Sequence, residues 1–516
     1  MPDQKNSDSE SQGSMGSTTN PGTEPKDQLN HAKDDEVEER EDELYRYEDM
    51  PYIIGNVEDV QLYRKGGHHP VHLGDVLNDR FEVAHKLGSG GFGLVWLCYD
   101  TLHGKWRAIK VMTANHSKKG REKKIYTHLQ QQASLERLTE AHLVVPLEEF
   151  WIEGPNGSHL CLVLPVLGAS IDKWRLGLDP HDTKTVTDMK KFCFQVTEAV
   201  RFLHKSGICH GDLKPQNILV TVAGIDDMGK EEMLELIGEP ECWEVETRSG
   251  DHPAPSGPEY IVQPSEEYWW EKRMSGSIAI IDFGAASLVG DPHEDNAWSM
   301  AYAAPEVLFC DKGLRGYHSD IWALAVTLFE IRAAESLFGG PPLELTVRNI
   351  ELLLGGLPEP YRAGRLGLLA SHYGRKYGEN EGIAYKLGDP IDISTWSSHP
   401  AEWTNNDQLL EARNNRVNGT GYVDPLEATL GRQRKFYARP APGEPRVVTE
   451  YQYPREEVLQ LADLLRRMLH YDPAKRITIN DVFLHPWIGG RNLFYTLYEL
   501  INARAGILGS WWMSTE

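Results

Sequence analysis

Residues 210–217 read HGDLKPQN, and the spacing inside this octet decides how the rest of the chain is read. Asp212 precedes Asn217 by five residues, with Lys214 between them. Phosphoryl transfer needs a carboxylate beside the acceptor hydroxyl, a cation near the moving phosphate and an oxygen ligand for Mg²⁺. One short loop carrying Asp212, Lys214 and Asn217 supplies all three. A plain polar turn around Pro215 accounts for the composition but not for the spacing. Downstream, IIDFG (280–284) reads as a strand that delivers Asp282, another hard oxygen ligand. Phe283 can then enter the core, and Gly284 frees the backbone.

Upstream, LGSGGFGLV (87–95) fits G-x-G-x-x-G at Gly88, Gly90 and Gly93, with Val95 following. Glycine lets a phosphate come close to the backbone. Leu87, Ser89, Gly91 and Phe92 complete this candidate nucleotide turn. A dinucleotide-binding turn has a similar pattern, but it needs a helix after the glycines and an acid about 20 residues on. Here GLVWLCYD (93–100) reads as a strand, so a strand–turn–strand flap fits better. Another strand ends in Ala108-Ile109-Lys110, and Lys110 is placed to reach nucleotide phosphates. The helix expected over 118–138 carries Glu122, which can pair with Lys110 and hold it. Taken singly, Lys110 is an edge lysine and Glu122 a solvated acid. AAPE (303–306) offers Glu306 as a structural partner for Arg476 in DPAKRIT.

The order of elements fixes the class. Strands are expected within 81–112 and 159–168, and helices at 188–207, 319–334 and 456–473. A β-rich part followed by a helix-rich part predicts an α+β, bilobal fold with a cleft between lobes. Residues 1–60 read as an acidic, solvated tail, with DDEVEEREDE (34–43) as a like-charge block. Residues 221–277, rich in Pro, Gly and charge, read as an inserted and largely surface segment. Within it DDMGKEEMLELIG predicts one helix ending at Gly238. Residues 340–450 diverge from the flanking pattern, and 490–516 form a C-terminal extension apolar enough to pack as a helix.

Of 516 residues, 40% are hydrophobic, enough for a large core. The net charge is −24, but residues 1–50 and 221–277 carry 20 of those charges. The body is nearly balanced, and the acidic total argues against direct nucleic-acid binding. Six cysteines without a CxxC pair argue against a disulfide framework or a zinc site and fit a reducing compartment, cytoplasm or nucleus. No run of about 18 apolar residues occurs, so no membrane partner is expected. A monomer is expected.

In this order the motifs resemble the eukaryotic protein-kinase family over about residues 81–489. The resemblance implies an N-lobe at 81–166 and a C-lobe at 167–489, with ATP and Mg²⁺ bound between them. It implies that Lys110 binds phosphate, that Glu122 is its helix partner, and that Asp212 is the catalytic base beside Lys214. Asn217 and Asp282 would be the metal ligands, and Asp320 a buried brace of the catalytic loop. Val95, Ala108, Leu164, Leu219 and Ile281 would line the adenine pocket, with Leu164 at its back. Val166 and Leu167 would offer backbone contacts at the hinge.

Residues 63–100 and HLCLVLPVLG (159–168) further resemble the SR-protein kinases, as do the insert at 221–277 and LLLGGLPEP (352–360). Those enzymes phosphorylate serines in Arg/Ser-rich splicing factors, and this chain is similar to a divergent, fungal-type member. Three departures matter. Gly211 stands where most kinases carry an arginine that neutralises a phosphorylated activation loop. SR-protein kinases also lack it, which implies activity without that modification. Pro165 replaces the acidic hinge residue, and 340–450 shows no acidic run to form a docking groove for Arg/Ser segments. GDPHED (290–295) reads as a solvated loop or as a contact for a basic substrate. Two functions follow. The first is an active serine/threonine protein kinase, since no residue required for catalysis is missing. The second is an inactive scaffold acting through the acidic insert and tail.

Overall fold

Strand residues 81–112 alternate their side chains between two faces, and both faces find apolar partners. β1 (Val76–Leu77), β2 (Phe81–Gly90), β3 (Gly93–Asp100), β4 (Lys105–Met112), β5 (Glu148–Gly154) and β6 (Gly157–Leu164) form one antiparallel sheet in the order β1-β2-β3-β4-β6-β5. Met112, Leu160 and Leu162 face the helical core, while Val111, Cys161 and Val163 face a second core with Phe81, Leu94, Trp96 and Phe150. This is the period of two expected of a sheet covered on both sides. Gly90 pairs with Gly93, so Gly91 and Phe92 form the tip of the glycine turn. Ala108 pairs with Leu164. The computed structural model describes residues 46–489 except 49, 51–56, 177, 180–181, 266–268, 292–298, 310–314, 341–342, 360, 363–405 and 438–447. The expected tail up to residue 45, the centre of the divergent 340–450 segment and the extension at 490–516 lie outside the described residues.

The single helix expected over 118–138 is divided. Gly120, at φ +60°, separates Ala114–Lys119 from α1 (Arg121–Gln132). Ser134 then caps Leu135–Glu140 by accepting the Arg137 N–H. The break places Glu122 in the first turn of α1. In the C-lobe, α2 (Thr183–Lys205) starts at Asp182, whose carboxylate accepts the Thr185 N–H at 2.8 Å. β7 (Ile208–Cys209) and β8 (Ile218–Val222) flank the HGDLKPQN loop.

Between β8 and the strand leading to Asp282, the insert departs from the surface reading. It crosses to the N-lobe and packs there. Its helix, α3 (Lys230–Ile237), ends at Gly238 as the sequence predicts. Ile225, Met228, Met233 and Ile237 join Leu97 and Trp106 of the sheet and Val166 of the hinge in one apolar cluster. The Trp106 indole N–H donates to the Met228 carbonyl at 3.0 Å, and Arg107 pairs with Asp226 at 2.8 Å. A short hairpin, β9 (Cys242–Glu244) and β10 (Tyr260–Val262), helps bring Val245, Ile261 and Val262 into the second N-lobe core. Tyr47 bridges to Thr247, and Glu58 forms a buried ion pair with Lys86 on β2. The chain returns through β11 (Met274–Ile280), which pairs with β8, and β12 (Ser287–Leu288), which pairs with β7. α4 (Tyr317–Ala333) is buried along nearly its whole length, and α5 (Arg455–Met468) packs against it.

Candidate active site

Lys110 sits on β4 where that strand faces the cleft. Its Nζ lies 2.9 and 3.1 Å from the Glu122 carboxylate oxygens and 3.2 Å from Asp282 Oδ1. Burial alone would pull the ammonium down, but Asp282 and Glu122 outweigh it and hold Lys110 above its ordinary pKa. Burial would likewise raise the Asp282 carboxyl, and Lys110 holds it below the ordinary range instead. One helical turn beyond Glu122, Tyr126 donates its hydroxyl to Glu122 Oε1 at 2.8 Å. The same ring meets Phe283 edge-on at 5.6 Å, and Phe283 is fully buried. Asp282 takes φ +64°, a costly conformation for a non-glycine residue. The buried Phe283 and the Lys110 pair fix it there.

The catalytic-loop candidates come together on the other side of the cleft. The N–H groups of His210 and Gly211 donate to the two oxygens of Asp320, at 2.8 and 3.0 Å, and His204 Nε2 lies 3.0 Å from the same carboxylate. Burial would raise the Asp320 carboxyl, but the His204 hydrogen bond and the other contacts hold it below its usual range. The expected brace is thus a buried carboxylate that fixes two loop amides. Gly211 takes φ +79°, and a Cβ there would stand 2.4 Å from the Ala285 carbonyl oxygen. The space that an arginine side chain would leave through is filled by the segment after Asp282.

Asp212 Oδ2 accepts from Lys214 Nζ at 2.6 Å and from Asn217 Nδ2 at 3.3 Å. Asn217 Nδ2 also donates to the Asp212 carbonyl at 2.8 Å. Asp212 Oδ1 is buried and has no partner. Lys214 reaches one further group, the Ser299 hydroxyl, at 2.8 Å. The two halves are tied together because the Ile281 N–H donates to the Asn217 carbonyl at 3.0 Å.

Three residues beside this loop carry no motif signal. Tyr302 donates its hydroxyl to Glu330 on α4, and Gln216 donates to Asp172 Oδ2 at 3.1 Å. Asp172 Oδ1 is buried without a partner. Burial pushes the Glu330 carboxyl up to about 7, with Asp172 adding to the rise and the Tyr302 hydrogen bond opposing it. These acids come from separate elements, so no local spacing announces them. The structural pair expected between Glu306 and Arg476 is present, bidentate and buried, at 2.5 and 2.6 Å.

The nucleotide candidates line one cleft. Val95 is the half-buried position among buried neighbours on β3, Leu219 has the same status on β8, and Leu87 and Leu164 are half-buried as well. Ala108 faces Leu164 across the β4–β6 pair, and Val166 is buried at the hinge. At Gly88 and Gly91 a Cβ would meet nothing within 4 Å, so the turn leaves open space that a side chain would fill. That cradle fits a polyphosphate. Asp282 and Asn217 offer hard oxygen donors of the kind that hold a divalent ion together with phosphate oxygens. Among the described residues no cluster of three or more His, Cys, Asp or Glu could hold a metal on its own, and no helix is long and apolar enough to cross a membrane.

Comparison with known proteins agrees with this geometry. The family model described as "Protein kinase domain" matches residues 81–235 and 270–353. The serine/threonine-protein kinase SRPK of Physarum polycephalum is 27% identical over 460 residues, covering 84% of this chain and 91% of that protein. The serine/threonine-protein kinase spk-1 of Caenorhabditis briggsae is 37% identical over 169 residues, which span 32% of this chain and 15% of spk-1. Human SRSF protein kinase 3 is 38% identical over 169 residues, spanning 30% of its length. The chain carries a protein kinase domain over these residues and is similar to the serine/threonine kinases of the SRPK group.

Proposed function

We propose that the protein transfers the terminal phosphoryl group of ATP to serine in Arg/Ser-rich proteins, with Mg²⁺ as the divalent ion. The observation that carries this reading is Asp212 Oδ1. It is buried and unpartnered, while the sister oxygen is pinned by Lys214 and Asn217. An acceptor hydroxyl would donate its proton to Oδ1 as its oxygen bonds to phosphorus and the bond to the departing nucleotide breaks. Lys214 would sit beside the developing charge. ATP supplies the phosphoryl group, and the ion neutralises charge on the phosphates. Lys110 and the glycine turn would hold those phosphates, with Asn217 and Asp282 holding the ion. We further propose a cytoplasmic or nuclear location, which the free thiols of Cys98, Cys161, Cys193, Cys209 and Cys242 support.

The preference for arginine near the acceptor is supported by Asp172 and Glu330. An arginine side chain would satisfy the orphan Asp172 oxygen and neutralise two neighbouring acids. Glu330→Gln raises the KM for an Arg/Ser peptide by roughly tenfold and leaves the KM for ATP unchanged. The effect has a pH signature. The fold prefers protonated Glu330, so its contribution to stability is full below about pH 4.5 and is lost as the pH rises through about 7. Peptide affinity moves oppositely and strengthens as Glu330 ionises. Peptide KM and melting temperature measured from pH 5 to 8 check both trends, and in Glu330→Gln both should flatten.

The whole reading is tested by ³²P transfer from ATP·Mg²⁺ to an Arg/Ser-repeat peptide and to a basic peptide without the repeat. Transfer to the repeat alone is expected. Transfer to neither, with ATP still bound, would replace the enzyme with the scaffold.

A further inference from the structure

The tip of the glycine turn does more than leave room for phosphate. Phe92 stands there between Gly91 and Gly93, and its carbonyl accepts the Thr113 N–H at 3.0 Å. Its ring meets His116 edge-on, with centroids 4.7 Å apart and planes at 67°. His116 is itself fixed, its Nδ1 lying 2.8 Å from the Thr113 hydroxyl. The other side of the Phe92 ring reaches the floor of the cleft. A Cβ built on Gly284 would stand 2.9 and 3.0 Å from ring atoms Cδ2 and Cε2, and 3.3 Å from Asp282 Oδ1.

One point in space therefore touches both the ring and the carboxylate. The ring thus stands close to both Gly284 and Asp282, on the side of the cleft below the turn. A side chain at 284 would collide with it, so glycine at that position is what lets the two walls meet. Beside the ring, the cradle at Gly88 and Gly91 stays open. Phosphates entering along the cradle toward Asp282 must displace the ring, because an aromatic side chain and a phosphate cannot occupy the same van der Waals space.

We propose that Phe92 is an aromatic latch on the phosphate channel, closed by His116 and Gly284, which competes with the phosphates of a nucleotide. This rests on reading the cleft as an ATP site. The latch opposes only ligands that carry phosphates to Asp282. Adenosine has none and leaves it closed.

The test is calorimetric binding of ADP·Mg²⁺ and of adenosine to the full chain and to Phe92→Ala. Loss of the latch tightens ADP·Mg²⁺ by about two- to tenfold, the worth of one aromatic contact, and leaves adenosine unchanged. His116→Ala removes the other contact and moves ADP·Mg²⁺ in the same direction by a smaller factor. Weaker ADP·Mg²⁺ binding by Phe92→Ala would mean that the ring packs on the phosphates, and the latch would be wrong. Equal tightening of adenosine would mean general loosening of the turn and would also sink it. If the parent chain bound neither ligand, the nucleotide site itself would fall and the latch with it.

Discussion

Asp212→Ala lowers kcat for peptide phosphorylation by about 10²–10⁴-fold, the usual worth of a positioned base. The Kd for ATP·Mg²⁺ stays within about twofold. The two effects separate because Asp212 touches neither the glycine turn nor the Lys110–Glu122–Asp282 cluster. Its bonds run to Lys214 and Asn217. Alanine also frees Asn217, so Asp212→Asn is the companion variant. It keeps the shape and one acceptor oxygen but cannot take a proton. Single-turnover ³²P transfer with calorimetry on the same preparations decides the matter. Parental turnover in Asp212→Asn would remove Asp212 as the base.

Deleting residues 224–273 and joining the ends with a short linker leaves a chain that does not fold. The surface reading of this segment would have predicted an intact catalytic core. The packing says otherwise. Ile225, Met228, Met233, Ile237, Val245, Ile261 and Val262 are all buried against the N-lobe. At about 1.5–3 kcal/mol for each fully buried large side chain, the seven contribute about 10–20 kcal/mol, an upper estimate. That matches or exceeds the whole stability of an ordinary domain, about 5–15 kcal/mol. It also exposes Leu97 and Trp106, which are otherwise covered. Soluble yield and circular dichroism of the deletion protein check this. A soluble, cooperatively melting deletion protein would show that the cluster is dispensable. Ile237→Asp is the milder probe and should lower the melting temperature by several degrees.

The arrangement of the candidate site was legible in the sequence wherever it lies in one contiguous stretch. HGDLKPQN, IIDFG and the glycine turn each hold their functional atoms within a few residues, so local spacing carries the signal. Lys110 and Glu122 were legible as a pair because a strand and the next helix are close in sequence. Even the long-range pair Glu306–Arg476 could be read from the types and order of its segments. Asp172 and Ser299 were not legible as partners of the catalytic loop, nor Glu330 as the partner of Tyr302 beside it. They approach it from separate elements, and each alone is an ordinary polar residue.

The insert misled for a different physical reason. Its charge dominates its composition, whereas its apolar residues are spread over about 40 positions with Pro and Gly between them. No single period gathers them, and only the N-lobe surface they cover explains them. The helix over 118–138 failed at Gly120, where a left-handed turn interrupts an otherwise helical pattern.

That covering has a consequence for how the chain is made. The β-sheet of the N-lobe is complete once Leu164 has been synthesised, yet the insert residues that finish its cover, from Ile225 to Val262, emerge only about 60 to 100 residues later. At about 5–20 residues per second the ribosome needs roughly 5–20 s for that stretch. For the first part of this interval, until Ile237 emerges, Leu97 and Trp106 face solvent or whatever chaperone is at hand. The first lobe of this chain is begun first and finished late, and the nascent chain is a stage exposed to aggregation.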